Sequence, residues 1–193
     1  MWVGDDVLAP VRERYGEPGT LELQLEISPL ERDEVLASTS KGRHHDVTFF
    51  VIRGGDLALI RKPHYEAGLW RPPSGGIHPA EPFEEGVKRE ALEELGVPIE
   101  LRRYLVCATA VFTCDTLSIP WTTHVLEAET DASDLAPVDT HEISAARWGT
   151  AEELAGPIRE RLLATGRALW RYRVALHDAA LQAMASESRS APG

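Results

Sequence analysis

Three glutamates stand close together in the stretch REALEELGV, which runs from Arg89 to Val97. On an α-helix, which turns by about 100° per residue, Glu90, Glu93 and Glu94 occupy one arc of about 100°. Like charges at these spacings destabilise a helix by about 0.2–0.5 kcal/mol per pair. A divalent cation bound among the carboxylates would remove this repulsion, and Mg²⁺ or Mn²⁺ prefers such oxygen ligands. The spacing therefore predicts a metal site on one face of a helix.

The rest of the predicted helix also indicates a functional face. Gly86 lies on the same side as the carboxylates, where we expect it to leave empty volume. A glycine inside a helix costs up to about 1 kcal/mol relative to alanine, so this face carries two local penalties. The adjoining arc is apolar and is predicted to face the core; it consists of Val87, Ala91, Leu92 and Leu95.

The loop before this helix is suited to binding an anion. Gly75 and Gly76 permit a close approach of the backbone to a ligand, and the amino-terminal end of a helix favours anionic groups. Arg61 and Lys62 end a predicted hairpin strand that should reach the same cleft, where they could contact a substrate phosphate. An exposed strand end without a ligand accounts for these two residues equally well.

These positions form one longer pattern. It consists of Gly75, five residues, Glu81, seven residues, Arg89-Glu90, two residues, Glu93-Glu94, one residue, and Gly96-Val97. The pattern resembles the Nudix box, G-x5-E-x7-R-E-U-x-E-E-x-G-U with U apolar, at every fixed position. The segment from Trp70 to Pro73 resembles the family's approach to the box. Ser74 and His78 depart from the commoner family form at variable positions, which leaves the substrate open.

The resemblance implies hydrolysis of the pyrophosphate bond in a nucleoside diphosphate linked to another group, as in a nucleotide sugar, a dinucleotide or a nucleoside triphosphate. It implies Mg²⁺ (or Mn²⁺) bound by Glu90, Glu93 and Glu94, where the ion would lower the pKa of an attacking water. Glu90 could serve instead as the base. The resemblance also implies that Arg89 pairs with Glu81 and holds the loop against the helix.

Other features of the family leave alternatives open. Some members take their general base from a loop beyond the box, where Glu142 is the best-placed candidate and a solvated loop acid is the other interpretation. We find neither the downstream proline of many ADP-ribose hydrolases nor the NADH-type array. The competing class is a Nudix-like module that senses or binds a nucleotide with weak hydrolysis or none. The complete set of carboxylates argues against it.

Several residues with chemical potential have simpler interpretations. His78 and His141 are expected at the surface, and Trp70, Phe112 and Trp121 are expected in the core rather than stacked on a base. Both cysteines, Cys107 and Cys114, follow the box, which disfavours an isopentenyl-diphosphate isomerase. They are interpreted as reduced core residues.

Composition narrows the class of protein. The 193 residues include 43% hydrophobic ones, enough for one domain with a sizeable core. The net charge of −11 argues against binding to duplex nucleic acid, because such binding depends on Lys and Arg. It does not argue against a small nucleotide-type substrate. No apolar run is long enough to span a membrane, and the first residues do not resemble a signal peptide. We therefore expect a cytoplasmic location.

The order of predicted elements indicates an α/β fold, which the resemblance specifies as a Nudix-type α/β/α sandwich with a mixed sheet. A strand over 20–28 and a helix capped by Ser28 form an N-terminal extension, 1–45. The core, 46–155, holds a hairpin around Gly54-Gly55, the box helix from Pro82 to Leu95, and strands over 102–113, 118–129 and 145–148. Extended C-terminal helices occupy 156–185, and a mobile tail 186–193.

The C-terminal region is predicted to start at a capping box of Thr150 and Glu153 and to break or kink at Gly156-Pro157. Beyond that point apolar residues recur at near-helical spacing and indicate a packing or dimer face; they are Leu162, Leu169, Tyr172, Leu176 and Met184. Together with the habit of the family, this stripe predicts a homodimer.

Overall fold

The computed structural model describes residues 3–39 and 42–188. Its helices are α1 (Asp5–Tyr15), α2 (Pro29–Ser38), α3 (Phe83–Leu95), α4 (Ala151–Glu153), α5 (Arg159–Ala164) and α6 (Ala168–Ser188). Its strands are β1 (Gly19–Glu26), β2 (His45–Arg53), β3 (Asp56–Arg61), β4 (Ser74–Gly75), β5 (Glu100–Cys114), β6 (Leu117–Glu129) and β7 (Ala145–Gly149).

The strands form one sheet in the order β1-β5-β6-β2-β3-β7, and β4 pairs with β2. The sheet is mixed because β1 runs parallel to β5 and β2 runs parallel to β6, whereas the remaining neighbours are antiparallel. The central strand β2 is buried along most of its length, as expected for a strand covered on both faces.

Two apolar cores cover the two faces of the sheet. On one face α1 and α3 pack through Leu8 and Val87 against Phe49. On the other face α2, α5 and α6 pack around Phe50, with Leu162 and Leu176 fully buried. Helices therefore lie on both sides of a mixed sheet, which confirms the predicted α/β sandwich.

Most predicted elements are present, and the local signals explain their ends. Ser28 and Thr150 both form capping boxes, with Glu31 and Glu153 respectively. Gly96 ends α3 in the left-handed conformation, with φ of 73°. Pro82 is the N-cap of α3 rather than its first helical residue. The helix α1 was not predicted.

The C-terminal region changes its helical geometry where proline was expected to act. Pro157 lies in a π-helical turn, Leu154–Ile158, which joins α4 to α5 without ending the helical path. The true break comes later, at Gly166, whose φ is 70°. The helix α6 then continues to Ser188, so it overlaps the predicted mobile tail, and residues 189–193 lie outside the described residues.

The apolar C-terminal stripe packs inside the chain itself. Leu162, Tyr172 and Leu176 are buried in the core beneath the sheet, and Leu169 and Met184 pack against the same core. The stripe is therefore mainly a packing face within the chain. None of the described helices is long and apolar enough to cross a bilayer.

A buried histidine predicts that the stability of the fold falls at acid pH. His177 in α6 is only 2% exposed, and its ring nitrogens have no hydrogen-bond partner among the described residues. Burial lowers the pKa of His177 from 6.5 to about 3, helped by Arg173 and Arg71. Because the unfolded chain takes up the proton first, stability present above pH 6.5 is lost as the pH falls toward 3.

We expect His177 to contribute about 2 kcal/mol of stability at pH 7.5 that is lost by pH 5. In His177→Leu the free energy of unfolding should fall correspondingly less over this range, because the leucine has no proton to gain. Urea denaturation at the two pH values measures both slopes. A variant that keeps the full wild-type slope contradicts the assignment.

Candidate active site

The rotation of α3 is determined by its apolar arc. Val87, Ala91 and Leu95 are fully buried, and they turn Glu90 and Glu94 toward a cavity beside the sheet. Leu92, which was predicted to face the core, is 51% exposed. It lies at the edge of the arc, about 100° from the centre at Ala91, so the helix carries it out to solvent.

Glu94 is the most deeply buried carboxylate of the three. Its Oε2 accepts a hydrogen bond of 2.7 Å from the backbone N–H of Ser74. Arg71 Nη2 lies 3.8 Å from its Oε1, and both side chains are about 5% exposed or less. Burial raises the pKa of Glu94 to about 7, against the opposing effects of Arg71, Lys62 and the Ser74 amide.

Glu90 reaches the loop that contains Gly75 and Gly76, the glycine loop. Its Oε1 accepts a hydrogen bond of 3.0 Å from the backbone N–H of Gly76. A Cβ atom placed on Gly75 would overlap the carboxyl group of Glu90, so glycine is required for this approach. Burial raises the pKa of Glu90, and the neighbouring Glu93 raises it further.

Arg89 ties the loop and the carboxylates together. Its Nε and Nη2 donate to the two oxygens of Glu81 at 2.8 and 3.0 Å, and Nη2 also donates to the carbonyl of Gly76 at 2.8 Å. Its Nη1 lies between Glu90 Oε1 at 2.9 Å and Glu93 Oε2 at 3.1 Å. The pair of Arg89 and Glu81 lowers the pKa of Glu81.

Gly86 has a different role from the expected one. The space that its missing side chain leaves is filled, because a Cβ there would lie 2.6 Å from Ile77 Cδ1 and 2.8 Å from Glu81 Oε2. The glycine therefore lets the loop and Glu81 pack against the helix.

The three carboxylates differ in how they present their oxygens. Glu93 is 44% exposed, whereas Glu90 and Glu94 are each fastened to a backbone amide. Among the described residues, no three His, Cys, Asp or Glu side chains converge on a single point in this arrangement. The donor set nevertheless fits a hard divalent cation, because it consists of carboxylate oxygens. Burial is the main cause of the raised pKa of Glu90 and of Glu94, and a neighbouring carboxylate adds a smaller effect at each.

The cavity beside these carboxylates has a volume of about 780 Å³. Lys62 and Glu142 line it and form an ion pair of 2.9 Å, in which Glu142 is 63% exposed. Arg61 instead lies over the ring of Trp70, with 5.7 Å from its Cζ to the ring centroid. Arg61 is the last residue of β3 and is not among the residues that line the cavity, whereas Lys62, the next residue, lines it.

The outer wall of the cavity comes from elements that the sequence did not connect with the site. The residues come from α2, from the segment before β2, from the start of β2, and from α6; they include Val35, Arg43, Asp46, Trp170 and Arg173. Phe112 and Trp121 are buried, as the sequence predicted, yet both also line the cavity. Trp121 Nε1 donates to Asp46 at 3.0 Å, and Arg173 Nη2 pairs with the same carboxylate at 3.1 Å.

The remaining aromatic and histidine candidates lie away from the carboxylates or at the surface. Trp70 is half-buried beneath Arg61 and Arg147. His141 is exposed. His78 is exposed as well, but it lines the cavity, and its Nδ1 lies 3.9 Å from Glu81 Oε2.

Residues 42–168 match the family model of the NUDIX domain. The match covers more than half of the chain and includes the carboxylate helix, the glycine loop and the sheet. This chain belongs to the Nudix family.

Two curated relatives match this chain over only a part of their own length. An NAD-capped RNA hydrolase NudC of Chromobacterium violaceum is 34% identical over 106 residues, which are 55% of this chain and 37% of that protein. An NAD-capped RNA hydrolase NudC of Pseudomonas syringae pv. syringae is 29% identical over 104 residues, 54% of this chain and 35% of that protein. The matched region thus spans only about a third of each of these relatives.

Solved structures with similarity to this chain include a MutT NUDIX hydrolase from Burkholderia pseudomallei, 25% identical with a TM-score of 0.44 over 56% of this chain and 84% of the other. Another is the E. coli ORF135 protein, 19% identical with a TM-score of 0.49 over 77% of this chain and 93% of the other.

Proposed function

We propose that this protein is a metal-dependent pyrophosphohydrolase that cleaves a nucleoside diphosphate linked to another group. The observation that carries the proposal is that the partly buried Glu90 and the buried Glu94 meet a glycine loop at a cavity of about 780 Å³. A cavity of this size accommodates a nucleotide.

We assign a separate role to each group of site residues. Glu90, Glu93 and Glu94 would hold Mg²⁺ or Mn²⁺, which supplies charge stabilisation for a phosphoryl group and a lowered pKa for water. Arg89 and Glu81 hold the loop and the helix in register, because Arg89 bridges Glu81 and the carbonyl of Gly76. Gly75 and Gly76 keep the backbone close enough for the carboxylates and substrate to share the site.

The names of the curated relatives bear on the substrate. Both are described as hydrolases of NAD-capped RNA, a pyrophosphate flanked by two nucleosides. We propose a dinucleotide as the first substrate to test, ahead of nucleotide sugars and nucleoside triphosphates. The net charge of −11 supports a small substrate rather than duplex nucleic acid.

The test is a panel of NAD-type dinucleotides, nucleotide sugars, ADP-ribose and nucleoside triphosphates, each with Mg²⁺, with Mn²⁺ and with EDTA. We expect release of a nucleoside monophosphate from at least one compound in the metal arms, and none with EDTA. Equal turnover with EDTA, or no turnover of any compound, would contradict the proposal.

A nucleotide-binding module is the second candidate, and one observation favours it. Arg89 Nη1 lies between Glu90 and Glu93 and offsets part of the repulsion between them. Such a module would bind one of the panel compounds, measured by calorimetry, with the same affinity in Mg²⁺ and in EDTA and without turnover.

We further propose Glu142 as the general base, because it lines the cavity and Lys62 holds it in place at 2.9 Å. Glu142→Gln should then lower kcat by about 10²-fold, in the range of general base catalysis. A loss smaller than threefold would reduce Glu142 to a partner of Lys62.

Homodimer formation stays a proposal supported by the family resemblance alone, because the apolar stripe is buried within the chain. Light scattering at micromolar concentration should give about twice the chain mass of 21.3 kDa. A mass of a single chain would refute the dimer. A cytoplasmic location is a proposal supported by the two free thiols, Cys107 and Cys114.

A further inference from the structure

The cationic side chains that line the cavity differ in whether a carboxylate pairs with them. Nearly all of them are paired with carboxylates: Lys62 with Glu142, Arg71 with Glu94, Arg89 with Glu81, Arg167 with Glu34, and Arg173 with Asp46. Arg43 also lines the cavity, and no carboxylate of the described residues lies within 4 Å of it. Its positive charge is available to a ligand.

Arg43 is held in one orientation by neutral contacts. Its Nε donates a hydrogen bond of 3.0 Å to the carbonyl of Ser38, the last residue of α2. Its guanidinium lies over the ring of Trp121, with 5.9 Å from Cζ to the ring centroid. Trp121 is in turn fixed by its hydrogen bond to Asp46. The two contacts use Nε and one face of the guanidinium, so the Nη groups keep donors for another partner.

The guanidinium lies against the glycine loop. A Cβ atom on Gly76 would collide with Nη1 of Arg43, so this close approach needs glycine. The N–H of the same Gly76 donates to Glu90. Arg43 and the carboxylates therefore flank Gly76, and an anion above the loop would lie between the cation and the carboxylate cluster.

We propose that Arg43 binds a phosphoryl oxygen of the substrate's pyrophosphate and thereby positions that group beside Glu90. The inference rests on the proposed function, because it assigns a residue to the same site. A guanidinium binds phosphate through two parallel hydrogen bonds, which a flexible ammonium does not reproduce. Arg43 lies in the short segment between α2 and β2, where no motif of the sequence marked it.

The test measures binding of methylenediphosphonate, a pyrophosphate analogue that cannot be hydrolysed, by calorimetry at a fixed Mg²⁺ concentration. Arg43→Gln should raise the dissociation constant at least tenfold, and Arg43→Lys should raise it at least threefold. The thermal midpoints of both variants should be unchanged. Arg102→Gln is the matched control: Arg102 pairs with Glu129 on the surface, outside the cavity, and its loss should leave the affinity unchanged.

Binding of the diphosphonate to Arg43→Gln within twofold of the wild type overturns the inference, and so does a wild type that does not bind it. If Arg43→Gln fails to fold, the same criterion applies to Arg43→Lys. Because no bond is cleaved, these outcomes are independent of turnover. If the protein binds the analogue through Arg43 but hydrolyses nothing in the substrate panel, the proposed function is contradicted and the Arg43 site is still supported.

Discussion

Glu94→Gln is expected to lower kcat by at least about 10³-fold, because an amide is a poor ligand for a hard cation and several kcal/mol of charge stabilisation would be lost. The fold should persist. The amide oxygen of glutamine can still accept the 2.7 Å hydrogen bond from Ser74, and Arg71 retains Tyr65, Pro72 and Ser74 as partners. Steady-state kinetics with the best compound of the panel, together with thermal denaturation, measure both quantities.

Glu85→Gln is the matched control for Glu94→Gln. Glu85 lies on the same helix, is 65% exposed and pairs only loosely with Lys88 at 3.7 Å. This variant should retain the wild-type kcat within about twofold, since exposed pairs of this kind contribute little. Equal rates for Glu94→Gln and Glu85→Gln, with Mg²⁺ still required, would remove Glu94 from the mechanism.

Gly75→Ala is the second change with a large expected effect. The added Cβ would overlap the carboxyl group of Glu90 and would lie 2.5 Å from its Cγ, so the whole side chain must take another rotamer and leave the Gly76 amide. A displacement of about 1 Å at a reacting centre can cost about 10²-fold in rate. We expect a loss of kcat of that size, measured in the same assay.

Gly156→Ala provides the comparison, because a Cβ on Gly156 meets no atom within 4 Å. It should leave kcat unchanged and keep or raise the free energy of unfolding, by up to about 1 kcal/mol. Wild-type activity in Gly75→Ala would show that the contact between Glu90 and the loop is dispensable.

The carboxylate helix could be predicted because its information is local. The spacing of Glu90, Glu93 and Glu94 determines their shared arc whatever surrounds the helix, and Gly96 supplies the stop signal. Alternation and turn residues likewise identified the strands and the hairpin. The prediction that Leu92 faces the core was wrong, because the exposure of a residue at the edge of an apolar arc depends on its neighbours rather than on periodicity.

The outer half of the cavity could not be predicted, because it depends on contacts between distant parts of the chain. Asp46 and Arg173 pair across 127 residues, and no spacing rule connects them. The helix α1 was missed for a related reason. It contains Pro10, and its last residues dock through long-range contacts of Arg14 and Tyr15 with Glu84. For the outer half of the cavity, the one signal in the sequence was a charge, Asp46, near the start of a largely apolar strand.

The central claim is that Glu90, Glu93 and Glu94 bind a divalent cation at the end of the cavity, and Mn²⁺ tests it most directly. A crystal of the protein soaked in Mn²⁺ and measured near the manganese absorption edge should show an anomalous peak within ligand distance of at least two of these carboxylates. The same soak of Glu94→Gln should lose most of that peak. A wild-type map without a peak there, while the three side chains are well ordered, would contradict the account.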